Sequence, residues 1–155
     1  MTLAHICFRV ADLARAVDFY VEKLGFSHAF DFKHPDGKRY GVYLKISGRT
    51  FIELFEKADV APMTDKQSYA HICLEVEDIN TAVALLRGKG VTVSDPKLGL
   101  DQSWQAWISD PDGNRIEVMA GTPELPLYGA TSVGRQEHHV EQRRPRVQRA
   151  HQPLR

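Results

Sequence analysis

The stretch LAHICFRV at residues 3–10 returns as YAHICLEV at residues 69–76. Shifting the chain by 66 residues superposes Ala4, His5, Ile6, Cys7, Val10, Asp12, Ala16, Val17 and Lys23 on Ala70, His71, Ile72, Cys73, Val76, Asp78, Ala82, Val83 and Lys89. Phe8 meets Leu74 and Leu13 meets Ile79, so apolar character persists where identity does not. A repeat of this kind means that one supersecondary unit of roughly 60 residues is present twice and buries its apolar face against its copy.

Working outward from the first copy, AHICFRV reads as a short strand, and Asp12 as the N-cap of a helix over Leu13–Leu24. Gly25 is the stop signal, Phe26–Phe32 and Tyr40–Ile46 are further strands around the turn His34-Pro35-Asp36-Gly37, and Thr50–Glu56 is the fourth. The second copy gives a strand over Ala70–Val76, an Asp78-capped helix over Ile79–Arg87 and a short strand at Val91–Ser94. Strands at Ser103–Ser109 and Arg115–Met119 follow, joined by the Asp110-Pro111-Asp112-Gly113 turn. The pattern predicts an α+β domain over residues 1–120, with one module at 3–56, a linker at 57–68 and a second module at 69–120. Residues 121–155 read as a disordered tail, because few large apolar side chains stand among six arginines and three glutamates.

Composition sets outer bounds on function. The chain has 155 residues, 43% of them hydrophobic, and its 20 basic residues balance 20 acidic ones. That balance argues against a dedicated nucleic-acid or membrane surface. No basic leader with a cleavable apolar stretch and no run long enough for a membrane span is seen. Two cysteines make no disulfide framework, so a reduced, cytoplasmic protein is expected.

Strand geometry singles out four side chains. Successive residues alternate faces, so His5, Cys7 and Arg9 share one side of their strand, and Ile6, Phe8 and Val10 the core side. His71, Cys73 and Glu75 divide from Ile72, Leu74 and Val76 in the same way. In TFIELFE and RIEVM, Glu53 and Glu117 stand opposite the core-facing pairs Ile52/Leu54 and Ile116/Val118. A carboxylate flanked by apolar residues on a strand is costly to bury unless it is paired or binds a cation. If a pseudo-twofold relates the modules, His5, Glu53, His71 and Glu117 converge. Two imidazoles and two carboxylates suit one borderline divalent ion such as Zn²⁺, Ni²⁺ or Co²⁺, with open positions for water or substrate. Cys7 and Cys73 read as small lining residues, and His28 and His34 as surface histidines. His138 and His139 fall in the tail.

The stretches AHICFRVADLARAVDFYVEKLGF, FIELFE, YAHICLEVEDINTAVALLRGKGV and WISDPDGNRIEVM resemble the glyoxalase I branch of the vicinal oxygen chelate superfamily over about residues 3–120. The resemblance implies two βαβββ modules whose sheets curl into a cup around one metal, with His5, Glu53, His71 and Glu117 in the ligand places. It also implies a lyase or isomerase of the lactoylglutathione lyase type, in which two vicinal oxygens of a small-molecule substrate chelate the metal and an enediolate forms. Glu117 then stands as the catalytic base and Glu53 as its counterpart. Arg9 matches the arginine that holds a substrate carboxylate, Gln105 and Trp107 line the substrate pocket, and a homodimer is expected. The segment that helps hold glutathione after the second ligand is absent from FIELFEKADVAP, and no basic residue stands in LGLDQSWQAW. The alternatives are a metal-dependent isomerase or epimerase of a hydroxycarbonyl compound or sugar, and a non-enzymatic resistance protein that binds small molecules. A ring-cleaving dioxygenase of the same fold is a third, although Glu53 is one carboxylate more than its iron site needs.

Overall fold

The computed structural model describes residues 1–61 and 68–122. Half of the predicted linker and nearly all of the predicted tail therefore lie outside the described residues. The first module runs β1 (His5–Val10), α1 (Leu13–Asp18), β2 (Ser27–Lys33), β3 (Arg39–Ser47) and β4 (Thr50–Glu56). The second runs β5 (Ile72–Glu75), α2 (Ile79–Gly88), β6 (Lys97–Leu98), β7 (Trp104–Ser109) and β8 (Arg115–Ala120). Each module forms a four-stranded mixed sheet, in the orders β1-β4-β3-β2 and β5-β8-β7-β6. In both, the first strand pairs parallel with the last, and the remaining pairs are antiparallel. The α+β reading of two βαβββ modules holds.

The helices start where the sequence placed them. Asp12 and Asp78 are extended residues whose carboxylates accept from the backbone N–H of Arg15 and Thr81 at 2.9 and 2.7 Å. Each cap satisfies a donor that the first helical turn cannot. The first helix departs from expectation at its far end. From Phe19 to Lys23 it widens into a π-helical turn, and Leu24 N–H donates to the Phe19 carbonyl at 3.1 Å. Lys89 of the second module reaches across and donates to the exposed carbonyls of Glu22 and Lys23 at 2.8 and 3.1 Å. The predicted strand at Val91–Ser94 is not formed. The segment is tied to β7 through Ser94, whose N–H donates to the Trp107 carbonyl at 3.0 Å and whose hydroxyl oxygen accepts the Trp107 N–H at 2.9 Å in place of a ladder carbonyl.

One apolar core joins the modules. Val10, Ala16, Tyr20, Val42, Leu44, Ile52 and Leu54 from the first are packed in the same cluster as Ile72, Val83, Ile108, Ile116 and Val118 from the second. Each large aliphatic side chain so buried contributes about 1.5–3 kcal/mol. A polar clasp adds direction to this contact. The buried phenol of Tyr20 donates to Asp110 Oδ2 at 2.9 Å, while Asp112 Oδ1 accepts from Ala11 N–H and from Arg15 Nη2, both at 3.1 Å. Burial, reinforced by the Asp110 carboxylate, drives the Tyr20 phenol far above its ordinary range. The sequence identified DPDG as a turn. The structure shows that the same turn also fastens module two to the first helix.

Candidate functional site

Parallel pairing of first and last strands places the four predicted donors. Cys7 stands opposite Glu53 in the β1/β4 ladder, and His5, two residues earlier, shares that face. Cys73 stands opposite Glu117 in the β5/β8 ladder, and His71 lies immediately before β5. The same step therefore sets each histidine beside its glutamate. His5 Nε2 is 3.3 Å from Glu53 Oε2, and His71 Nε2 is 3.0 Å from Glu117 Oε2.

The two pairs remain two pairs. Among the described residues, no three His, Cys, Asp or Glu side chains come close enough together to hold a metal ion. Each pair on its own has the right chemistry. Two donors bound at about 2.1 Å and separated by 90–110° stand about 3.0–3.4 Å apart. Both measured separations fall in that range. Glu117 is 6% exposed, and a carboxylate taken that far out of water needs a positive partner or strong donors. Each pair, one imidazole and one carboxylate, thus has the chemistry of two donors to a divalent ion.

The surroundings of the two pairs differ. Tyr43 Oη lies 2.9 Å from His5 Nδ1. Were Nε2 to bind a metal, Nδ1 would carry the proton and donate to Tyr43, which would fix both tautomer and ring orientation. His71 has the edge of Trp107 against it, with ring centroids 4.9 Å apart. The Arg115 guanidinium covers the Trp107 face at 4.4 Å. Burial first, and then the Glu117 carboxylate with its hydrogen bond, push the Cys73 thiol up to about 12. Cys7 is raised by the same causes, with Glu53 in that role. Neither cysteine has the depressed pKa of a nucleophile.

The predicted substrate residues fall in different settings. Arg9 is exposed on the donor face of β1, opposite Phe55 in the ladder. Trp107 stands opposite Glu117 and touches His71. The Gln105 amide is committed to its own loop, donating to Asp101 Oδ1 at 3.2 Å and Ser103 Oγ at 3.1 Å. Tyr43 was not singled out from the sequence. Its place on the donor face follows from strand register, which pairs Tyr43 with Glu53 on one side and Phe30 on the other.

Comparison with known proteins bears out the family and the fold. Residues 2–118 match the sequence family described as Glyoxalase/Bleomycin resistance protein/Dioxygenase superfamily. The lactoylglutathione lyase of Escherichia coli O157:H7 is 30% identical over 125 residues, covering 77% of this chain and 92% of that protein. The metallothiol transferase FosB of Staphylococcus epidermidis is 28% identical over 131 residues, covering 76% of this chain and 80% of that protein. Among solved structures, the antibiotic-binding protein TnmS3 of Streptomyces sp. CB03234 superposes with a TM-score of 0.63 at 28% identity, covering 79% of this chain and 97% of that one.

Proposed function

The chain belongs to the Glyoxalase/Bleomycin resistance protein/Dioxygenase superfamily, and from that premise we propose that it is a metal-dependent lyase or isomerase acting on a small molecule with vicinal oxygens. The observation that carries this reading is the matched pair of donor pairs, His5–Glu53 at 3.3 Å and His71–Glu117 at 3.0 Å, at equivalent ladder positions of the two modules. A divalent ion held by these four residues supplies Lewis acidity to two neighbouring substrate oxygens. Glu117 takes the proton from the carbon beside the carbonyl and returns it to the adjacent carbon. Its side chain, 9% exposed, stands beside His71 at 3.0 Å and opposite Trp107 in the ladder. Glu53 stands as its counterpart, and Arg9 holds an anionic group of the substrate. The residues after Glu53 lack the expected glutathione-holding segment, so the hemithioacetal of methylglyoxal with glutathione is a poor substrate in this reading.

We also infer that the centre is completed between two copies of the chain. Each copy keeps its two donor pairs apart, while the clasp of Asp110 and Asp112 on the first helix fixes the modules against each other. The outer edges of β1 and β5 end their sheets, and a groove of about 600 Å³ lined by Leu3, Ile6, Ile46, Ile72 and Leu74 runs beside them. Module one of one copy facing module two of its partner then assembles all four donors, twice per dimer.

Complementation tests both parts. His5→Ala and His71→Ala should each lose most bound Ni²⁺, Zn²⁺ or Co²⁺ while keeping the fold, since neither side chain is in the core. Unfolded and refolded together in equal amounts, the two variants should recover about a quarter of the wild-type metal sites, because half of the dimers are mixed and each has one intact site. No recovery would show that sites close within a chain. Full metal retention by either single variant would end the metal reading.

A further inference from the structure

The donor face of the first sheet is paved with aromatic rings. The ladders align Phe30, Tyr43, Glu53 and Cys7 in one row across the sheet, and Phe32, Gly41, Phe55 and Arg9 in the next. Residues directly opposite in a ladder share a face, so these rings stand on the side that carries His5 and Glu53. Phe30 and Tyr43 are nearly parallel, 18° apart with centroids at 4.9 Å, and Tyr43 continues to Phe51 at 5.0 Å and 33°. Gly41 keeps the neighbouring row flat, because a Cβ there would meet the Phe55 ring at 2.5 Å. Phe32 and Phe55 meet across that glycine at 4.9 Å.

This surface is not part of the core. The core lies on the other side of the same strands, at Val42, Leu44, Ile52 and Leu54. Phe30 is 47% exposed, and a continuous apolar patch facing water marks a place that something covers. Tyr43 ties the patch to the donors, since its hydroxyl bonds His5 while its ring faces stack with Phe30 and Phe51. Among the described residues, the second sheet offers no such surface beside its own donors. The face of Trp107 there is already occupied by Arg115.

We propose that the molecule acted on carries a planar conjugated group, which lies on the Phe30–Tyr43–Phe51 surface while its vicinal oxygens reach the His5–Glu53 pair. The inference rests on the metal reading given above and adds the class of substrate. Rings stacked face against face along a sheet leave a row of edges for a ligand, and a flat π-face lies across such edges in T-shaped contact, whereas the amides of a peptide would find few donors or acceptors there. Arg9 and Lys45, both on this face, are placed to meet an anionic substituent at its margin.

Two probes with the same chelating head separate the flat group from the metal. Titration calorimetry and visible spectra of the Co²⁺-loaded protein would compare 2-naphthohydroxamate with acetohydroxamate. The naphthyl probe should bind at least about tenfold more tightly, a modest return for one stacked ring system. Phe30→Ala should weaken the naphthyl probe about fivefold or more and leave acetohydroxamate unchanged. Phe30→Leu restores apolar bulk without a flat face and should leave most of that loss in place. Normal Co²⁺ spectral shifts with equal affinity for both probes would overturn the aromatic class alone. So would an equal loss for both probes in Phe30→Ala. If neither probe perturbs the Co²⁺ spectrum, the metal reading fails and this inference falls with it.

Discussion

The two modules share a strand-to-strand plan and differ in everything that plan leaves free. In the first, His5 is held by the Tyr43 hydroxyl, its glutamate side chain is 17% exposed, and aromatic rings surround the pair. In the second, His71 rests on the edge of Trp107, its glutamate side chain is 9% exposed, and the nearby polar groups are tied into loops. The β3–β4 connection of the first module is the short Ser47–Thr50 turn. The corresponding β7–β8 turn of the second holds the Asp110–Asp112 clasp. A duplicated unit thus keeps the donors where ladder geometry fixes them and divides the remaining work. In the reading proposed above, module one takes the bulk of the substrate, while module two holds the clasp and supplies the more buried carboxylate.

The largest effect should come from breaking the asymmetry between the carboxylates. Glu117→Gln keeps a coordinating oxygen but cannot accept a proton. It should lower turnover by about 10²–10⁴-fold, the usual worth of a general base, with metal content largely retained. Glu53→Gln should cost metal affinity more than it costs chemistry. Solvent-deuterium incorporation beside the substrate carbonyl, measured together with bound metal, separates the two. Equal losses of exchange in both variants would show that the modules do not divide the roles in this way.

The clasp has no counterpart in module one, and its removal should be the next largest effect, read in stability. Asp110 is 5% exposed and accepts from Tyr20 Oη, Asn114 Nδ2 and the backbone N–H groups of Asp112 and Asn114. Asp110→Ala strands a fully buried phenol and loosens the turn, at a cost of about 3 kcal/mol, since an orphaned buried donor alone costs about 1–3. Tyr20→Phe removes the phenol and leaves Asp110 with three partners, so about 1 kcal/mol is expected. Urea midpoints at constant slope give both values. Indistinguishable variants would mean that the inter-module bond, not the turn, is what Asp110 holds.

Tyr43→Phe probes the pairs themselves. It keeps the ring and its stacking but deletes the hydroxyl that orients His5. Metal affinity should fall about tenfold, the lower end of what outer hydrogen bonds to a ligating histidine are worth. Trp107→Phe, at the corresponding place beside His71, removes no hydrogen bond to the histidine and should change affinity little. Competition with a chromophoric chelator resolves a difference of this size.

Much of this plan was legible because it is local. The repeat of AHIC, the Asp12 and Asp78 caps and the alternation in TFIELFE and RIEVM are all settled by neighbours within a few residues, and they place the donors on strands and on the right face. The pairing that brings Tyr43 to His5 depends on register between β1, β4 and β3, which adjacent letters do not encode. The carbonyls of Glu22 and Lys23 in the π-helical turn are met by Lys89, which is 66 residues beyond Lys23, a contact that the local pattern does not contain. The failed strand at Val91–Ser94 turns on the Ser94 hydroxyl, which takes the Trp107 N–H that a ladder carbonyl would accept, a long-range choice that adjacent letters do not encode. Whether the donors meet within one chain or between two depends on how whole modules pack, a property of surfaces rather than of sequence periodicity.

The smallest expected effect lies at the outer strands. Asp31 on β2 accepts from His28 at 2.9 Å and lies 3.4 Å from Arg39 and 3.7 Å from Lys33. The hydrogen bond from His28, ahead of the Arg39 and His28 charges, holds its carboxyl below the usual range. A carboxylate with a lowered folded pKa stabilises the fold above the unfolded value, near 3.9, and loses that contribution as pH falls through the folded value. Asp31→Asn should therefore melt lower than wild type at pH 6, by no more than about 1 kcal/mol because the pair is near the surface. The difference should shrink below about pH 4 and vanish once the wild-type carboxyl is also protonated. In module two, Asp95 pairs only with Arg87 among the described residues and its side chain is 84% exposed, so Asp95→Asn should be neutral at both pH values. A stability loss at Asp95 equal to that at Asp31 would show that pairing count and exposure do not separate the two edges.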